Sequence, residues 1–131
     1  MPVELTILAW AMVLLLAHIF AAGHAKTSQY GPKWNVGARD EALPPLNPVA
    51  GRLTRAQANF LETLPIAIVA LIGVALAGRS SEWTVLGGWI WLAARIAYLP
   101  VYGLGIPAVR SILFLISLAG LILVLWPLLG L

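Results

Sequence analysis

Three groups of polar side chains interrupt the apolar segments of this chain, and two of them have the spacing of one face of an α-helix. Residues three or four apart lie on the same face of a helix, so each of the first two groups would form one polar face, while the third group opens the last apolar segment. The groups are Arg52, Arg55, Asn59 and Glu62; Arg95, Tyr98 and Tyr102; and Arg110 with Ser111. Guanidinium, amide and phenol groups gathered at one place would bind a small anion with several carboxylates.

Glu62 and Arg95 are predicted to form an ion pair inside a helix bundle. At the rise of a helix, Glu62 lies roughly 10 Å beyond Arg55 and Arg95 roughly 10 Å before Tyr102, which gives the two charges a similar depth. A lone charge inside a membrane span costs about 2.5–3.5 kcal/mol, and pairing removes most of that cost. The alternative is that these polar side chains only hold the helices together.

Simpler roles are open for several other members of the three groups. Arg52 can extend its guanidinium to the lipid headgroups, and this contact is favoured for it. Tyr98 and Tyr102 can anchor a helix at the membrane interface. Arg110 can serve only as a charge that fixes the orientation of the chain in the membrane.

The composition places these groups in an integral membrane protein. Of the 131 residues, 61% are hydrophobic and 10% are charged, and the mean hydropathy is +0.94. Soluble domains average about 45–50% apolar and about 25% charged residues, so much of this surface must face lipid. The chain lacks cysteine, and its two histidines have no cluster of carboxylates beside them, so no metal site is predicted. The net charge of +3 forms no basic cluster of the kind that binds nucleic acid.

Four apolar segments are long enough to cross a membrane, and none shows the alternation of a barrel strand. They cover about 3–22, 51–78, 83–101 and 107–129. The sequence therefore predicts an all-α, four-helix integral membrane bundle that forms a single domain over residues 1–131. The first segment contains Glu4, lacks a basic region and is longer than the apolar part of a signal peptide, so it is interpreted as a retained span.

The connections predict the orientation of the bundle. Residues 26–50 are polar and rich in proline and glycine, which predicts a long loop. Ser80 or Ser81 is predicted to cap the third helix, and Pro107 to begin the fourth. Most lysines and arginines flank the long loop and the turn before Pro107. By the positive-inside rule that side is cytoplasmic, and both termini lie outside.

Two segments resemble one known family. "RAQANFLETLP" (55–65) is similar to the second-helix signature of the MAPEG family, the membrane-associated proteins in eicosanoid and glutathione metabolism. "ARIAYLPVYGLGIPAVRS" (94–111) resembles that family's segment between the third and fourth helices, and "GARDEALPPLNPVAGR" (37–52) resembles bacterial members. The resemblance implies a homotrimer in a bacterial inner membrane, with glutathione as co-substrate bound between subunits near the cytoplasmic face.

The resemblance also implies roles for individual residues. Arg110 would stabilise the thiolate of glutathione, and Ser111 matches the serine that follows this arginine in some members. The residues that would bind or support glutathione are Arg55, Asn59, Glu62, Arg95, Tyr98 and Tyr102. A nearby cation favours the thiolate, which is the nucleophilic form of a thiol.

Two functions are therefore open. The first is a glutathione-dependent transferase or peroxidase that acts on lipophilic small molecules reaching the site from membrane lipid. The second is a non-catalytic trimeric membrane protein whose polar residues are structural or bind a lipid headgroup or small anion. A transporter is disfavoured because no broken helix and no repeat pair is visible.

Overall fold

Four long helices make up most of the protein. The computed structural model describes residues 1–130, and this part of the chain contains no strand. The helices are α1 (Val3–Tyr30), the short α2 (Pro32–Val36), α3 (Pro48–Ala77), α4 (Glu82–Gly103) and α5 (Pro107–Leu125), which continues as a 3-10 helix over Trp126–Leu129. All but α2 are long and apolar enough to span a membrane. The predicted all-α, four-helix membrane bundle is confirmed.

Capping residues visible in the sequence mark where the helices begin. The side chain of Asn47 accepts a hydrogen bond from the amide of Ala50 (2.9 Å) and caps α3. Ser81 caps α4 in a capping box with Thr84, so Ser81 is the cap among the two predicted serines. Pro107 occupies the first turn of α5, as predicted.

The first helix is longer than the sequence predicted. It continues through the polar residues after position 22 to Tyr30, so part of the predicted loop is helical. The end of α1 is hydrogen-bonded to the remaining loop, because the side-chain Nε2 atom of Gln29 donates to the carbonyl of Pro45 (2.9 Å). The Oε1 atom of Gln29 accepts from the amide of Asn47 (2.8 Å). The last turns of α1 are polar and have no continuous apolar face, so hydropathy did not reveal them.

The helices alternate in direction, which brings the starts of α1 and α4 together. There the Glu4 carboxylate accepts hydrogen bonds from Ser80 Oγ (2.7 Å) and Thr84 Oγ1 (2.8 Å). At the opposite end the start of α3 meets the end of α4, where Arg52 Nε donates to the carbonyl of Gly103 (3.0 Å). We call these the Glu4 end and the Arg52 end of the bundle. The sequence predicts that the Arg52 end is cytoplasmic.

The interior between the two ends is mostly apolar and aromatic. The largest apolar side chains that are fully buried there are Ile7, Phe60, Leu71, Val74, Trp91 and Val124. The side chains of His18 and Arg95 are also fully buried there. They lie on the half of the bundle nearer the Arg52 end, so the interior leads toward the polar residues that the sequence singled out.

Candidate functional site

A pocket opens at the Arg52 end, where the first turns of α3, the end of α4 and the start of α5 meet. Its volume is about 190 Å³. The residues that line it are Arg52, Arg55, Tyr102, Gly105, Ile106, Pro107 and Arg110. Three of these carry guanidinium groups and none carries a carboxylate, so the pocket is strongly cationic and attracts anions.

Tyr102 connects two of the three guanidinium groups. Its hydroxyl oxygen accepts a hydrogen bond from Arg55 Nε (3.2 Å). Its ring faces the guanidinium of Arg110, whose Cζ atom lies 4.9 Å from the ring centroid, within the range of a cation–π interaction. One phenol therefore positions Arg55 through its oxygen and Arg110 through its ring.

A column of polar and aromatic side chains continues from Tyr102 into the bundle. Tyr98 packs edge-on against Tyr102, with ring centroids 5.5 Å apart. The Arg95 guanidinium lies 4.2 Å from the centroid of the Tyr98 ring, and its Nη1 donates to Asn59 Oδ1 (2.8 Å). Arg95 and Tyr98 are fully buried and do not line the pocket of the single chain. Tyr98 packs against the side of Tyr102 that faces the interior, and Arg95 packs against Tyr98.

The predicted ion pair between Glu62 and Arg95 is not formed. Glu62 is exposed on the outside of α3, whereas Arg95 is fully buried and hydrogen-bonds Asn59. Three residues turn a helix by about 300°, so Glu62 points about 60° further from the interior than Asn59. Equal depth on two neighbouring helices therefore did not place the two charges on facing sides.

The structure brings only part of the predicted set into the pocket. Arg55, Tyr102 and Arg110 line it, while Ser111 is exposed and lies outside the lining although it follows Arg110 directly. Arg52, for which the sequence favoured contact with lipid headgroups, lines the pocket instead. Its position one turn before Arg55 was the available signal, because that spacing puts both side chains on one side of α3.

His18 is an interior residue whose position the sequence reasoning missed. Its ring stacks on Phe60 with centroids 5.0 Å apart, and Phe60 in turn stacks on Trp91 at 6.0 Å. Within residues 1–130, neither ring nitrogen of His18 has a hydrogen-bond partner, and neither do Nε and Nη2 of Arg95. The signal was periodicity, since His18 is four residues beyond Leu14 on the buried face of α1.

The lining of the pocket decides which chemistry it can support. Arginine side chains bind carboxylates through paired hydrogen bonds and stay cationic, so a bound anion is held and its charge is stabilised. A thiol bound beside Arg110 would be favoured as its thiolate for the same reason. Within residues 1–130, no group of three or more His, Cys, Asp or Glu side chains is placed to hold a metal ion.

Comparisons with known proteins bear on the whole chain and not only on the pocket. A family model described as the MAPEG family matches residues 5–130, a range that includes every residue of the pocket and of the column behind it. The comparisons with curated proteins and with solved structures find no match. Because the family match extends over nearly the entire sequence, the chain belongs to the MAPEG family.

Proposed function

We propose that this protein is a glutathione-dependent transferase or peroxidase that acts on lipophilic molecules. Membership of the MAPEG family supports a membrane protein of the type found in glutathione and eicosanoid metabolism. The observation that carries the more specific proposal is the pocket in which Arg52, Arg55 and Arg110 surround Tyr102 without an acidic lining residue.

Glutathione has the charge that this pocket requires. It carries two carboxylates and a thiol, so the bound thiolate form presents three negative charges to three guanidinium groups. Arg52 and Arg55 would hold carboxylates, and Arg110 would stabilise the thiolate, with Ser111 as a candidate second contact to the sulfur. The ammonium group of glutathione has a candidate partner in Glu62, which is exposed on the same flank of α3 as Arg55.

The position of Arg110 suits a reaction between a polar thiolate and an apolar substrate. Glutathione would supply the nucleophilic sulfur, and Arg110 would lower the free energy of the anionic sulfur before it reacts. Arg110 lies in the first turn of α5, and the apolar side chains of Ile112 and Leu115 are exposed further along this helix. A substrate dissolved in lipid can therefore approach along α5 without entering water.

We also propose that the protein works as a homotrimer in a bacterial inner membrane, with both termini outside. Arg55 and Glu62 are exposed on one flank of α3, which leaves the site open toward a neighbouring subunit. Lysines and arginines are concentrated in the long loop and at the Arg52 end, which supports a cytoplasmic location of the pocket.

The second candidate function is a non-catalytic membrane protein that binds a small anion or a lipid headgroup. Its support is the burial of Arg95 and Tyr98, because fully buried side chains can stabilise the bundle without contacting a ligand. Ser111 is exposed and lies outside the pocket lining, which also fits a site in which Ser111 has no catalytic role.

Glutathione binding and turnover by the detergent-purified protein together separate the two functions. We expect calorimetry to detect binding at millimolar glutathione or below, ultraviolet absorbance to detect the bound thiolate, and the protein to turn over an aryl halide or an alkyl hydroperoxide. Arg110→Ala should lower turnover by about 10²-fold or more, as for loss of one group that stabilises developing charge. Arg79→Ala, exposed at the Glu4 end, is the control and should change neither binding nor turnover.

Two negative results have different meanings. If the protein does not bind millimolar glutathione, the enzyme function is excluded and anion or headgroup binding remains. If it binds glutathione and Arg110→Ala leaves turnover intact, the enzyme function stands and the role proposed for Arg110 is wrong.

A further inference from the structure

The hydroxyl group of Tyr102 accepts one hydrogen bond and keeps its own proton available. Arg55 Nε is the donor to the Tyr102 oxygen, at 3.2 Å. Within residues 1–130, the structure shows no acceptor for the Tyr102 proton, and Tyr102 lines the pocket. The proton can therefore be given to a molecule bound there.

Tyr102 is also the pocket residue whose side chain can lose a proton. The guanidinium groups of Arg52, Arg55 and Arg110 stay protonated in proteins and do not act as acids. The remaining lining residues, Gly105, Ile106 and Pro107, have no acidic group. Any reaction in this pocket that needs a proton from a lining side chain must take it from Tyr102.

We propose that Tyr102 is a catalytic residue that donates a proton to the leaving alkoxide when the glutathione thiolate reduces a lipophilic hydroperoxide. This inference rests on the proposed function and names the substrate class for which the site is equipped. The thiolate attacks the terminal peroxide oxygen, so that a sulfur–oxygen bond forms while the oxygen–oxygen bond breaks. The alkoxide that leaves takes the Tyr102 proton and becomes an alcohol.

The remaining steps restore the site and balance the reaction. The proton that glutathione lost to solvent on becoming a thiolate returns to the Tyr102 oxygen. A second glutathione reacts with the sulfenic acid formed on the first, giving glutathione disulfide and water. In sum, two glutathione molecules and one hydroperoxide give one disulfide, one alcohol and one water.

Arg55 makes Tyr102 suitable for this task. After proton transfer the Tyr102 oxygen is negatively charged, and the Arg55 guanidinium already donates a hydrogen bond to that oxygen. Arg110 faces the same ring at 4.9 Å, so the sulfur that it stabilises lies beside the phenol. Conjugation with an aryl halide releases a halide ion, which needs no proton, whereas peroxide reduction releases an alkoxide, which does. A test can therefore compare the two reactions.

The first test measures binding and not turnover. Glutathione sulfonate carries negatively charged oxygen atoms beside the position of the sulfur, where they can accept the Tyr102 proton that the leaving alkoxide would take. We expect Tyr102→Phe to weaken binding of the sulfonate, relative to binding of glutathione itself, by about tenfold or more, the loss expected for one hydrogen bond to a charged group. Tyr30→Phe is the control, because the Tyr30 hydroxyl donates to the carbonyl of Pro44 in the loop and lies outside the pocket. It should leave the ratio of sulfonate affinity to glutathione affinity unchanged.

The second test compares two leaving groups. In Tyr102→Phe, kcat/KM for an alkyl hydroperoxide should fall by about 10²-fold, the usual contribution of a general acid. For a dinitrochlorobenzene it should fall only by the factor measured for glutathione binding. Among hydroperoxides, the loss should grow as the leaving alcohol becomes more basic, which a purely structural role of the tyrosine would not produce.

The wild-type protein keeps the inference testable if Tyr102→Phe does not fold. Its peroxide reduction should then show a solvent deuterium isotope effect that its aryl halide conjugation lacks. Equal losses for both substrates in Tyr102→Phe, or no isotope effect on peroxide reduction, would overturn the inference. Glutathione binding with conjugation but no peroxide reduction would overturn it and leave the transferase standing. Failure to bind glutathione would overturn both proposals.

Discussion

Arg95 places a positive charge inside the bundle with a single hydrogen-bond acceptor. Its Nη1 donates to Asn59, and its guanidinium lies over the rings of Tyr98 and Phe60, at 4.2 and 5.4 Å. Two aromatic faces offset part of the cost of removing the cation from water. Within residues 1–130, Nε and Nη2 have no hydrogen-bond partner, so the amide of Asn59 carries much of the stabilisation.

Removing the Asn59 amide should therefore destabilise the protein, and part of this loss should disappear when Arg95 is replaced as well. We expect Asn59→Leu to lower the free energy of unfolding by about 1–3 kcal/mol or more, because it strands a buried charged group. Asn59→Leu combined with Arg95→Met should lower it by less than the sum of the two single changes. Denaturation in detergent, followed by circular dichroism, measures these values. Gln57→Leu, two residues away on α3, is the control, and additive losses would show that the two side chains do not interact.

At the scale of the helices, α4 and α5 approach each other through glycine. A Cβ atom added at Gly120 would lie 2.5 Å from the carbonyl oxygen of Gly87 and 2.7 Å from the amide nitrogen of Trp91. Both contacts are with backbone, which cannot move aside as a side chain can. Small residues allow the close packing that replaces the hydrophobic effect between helices in lipid. This crossing fixes α5, and with it Arg110, relative to α4 and Tyr102.

Gly120→Ala should force α4 and α5 apart. We expect a loss of about 1–3 kcal/mol in the free energy of unfolding, as for overpacking elsewhere, together with weaker glutathione binding because Arg110 moves relative to Tyr102. Gly23→Ala is a matched control in α1, since nothing lies within 4 Å of the added atom. That change should leave stability equal or raise it by about 0.5–1 kcal/mol. Similar losses in both variants would contradict the close crossing.

The four long helices were predictable because the sequence of each helix itself indicates a membrane span. Apolar length marked the spans, and Ser81 and Pro107 marked two of the starts. The end of α1 at Tyr30 was not predictable from hydropathy, because its last turns are polar and are held by contacts with the loop. Local sequence shows where a helix can form, whereas contacts distant in the chain decide how far a polar end continues.

The site was predictable as a set of residues but not as an arrangement. Helical spacing grouped Arg55 with Asn59 and Glu62, yet it did not show that Asn59 faces α4 while Glu62 faces outward. That distinction depends on the rotation of α3 about its axis, which is set by the packing of Phe60 against His18 and Trp91. The rotation of a helix depends on its contacts in the assembled bundle, so it cannot be predicted from the spacing of residues within that helix.

At the scale of the whole molecule, one face of α3 is incompletely covered. The exposed residues on this face repeat at helical spacing and are Ala58, Leu61, Glu62, Pro65, Ile66 and Val69. Glu62 lies roughly 10 Å beyond Arg55 along the helix, and a charge facing lipid at such a depth costs about 2.5–3.5 kcal/mol. A neighbouring subunit that packs on this face would remove that cost, which is the arrangement expected of the proposed homotrimer.

Cysteine cross-linking tests whether this face of α3 is the subunit interface. The chain has no cysteine of its own, so each variant carries a single thiol. If this face of α3 surrounds the three-fold axis, the same residue of each subunit meets its copies there. We then expect Ile66→Cys, oxidised in native membranes, to give a disulfide-linked dimer on a denaturing gel, because one thiol per subunit can join two copies of a trimer. Leu115→Cys, 64% exposed on α5, is the matched control and should stay monomeric because α5 faces lipid in this arrangement. Cross-linking through Leu115→Cys alone would place the interface on α5, and Glu62 would then need another partner.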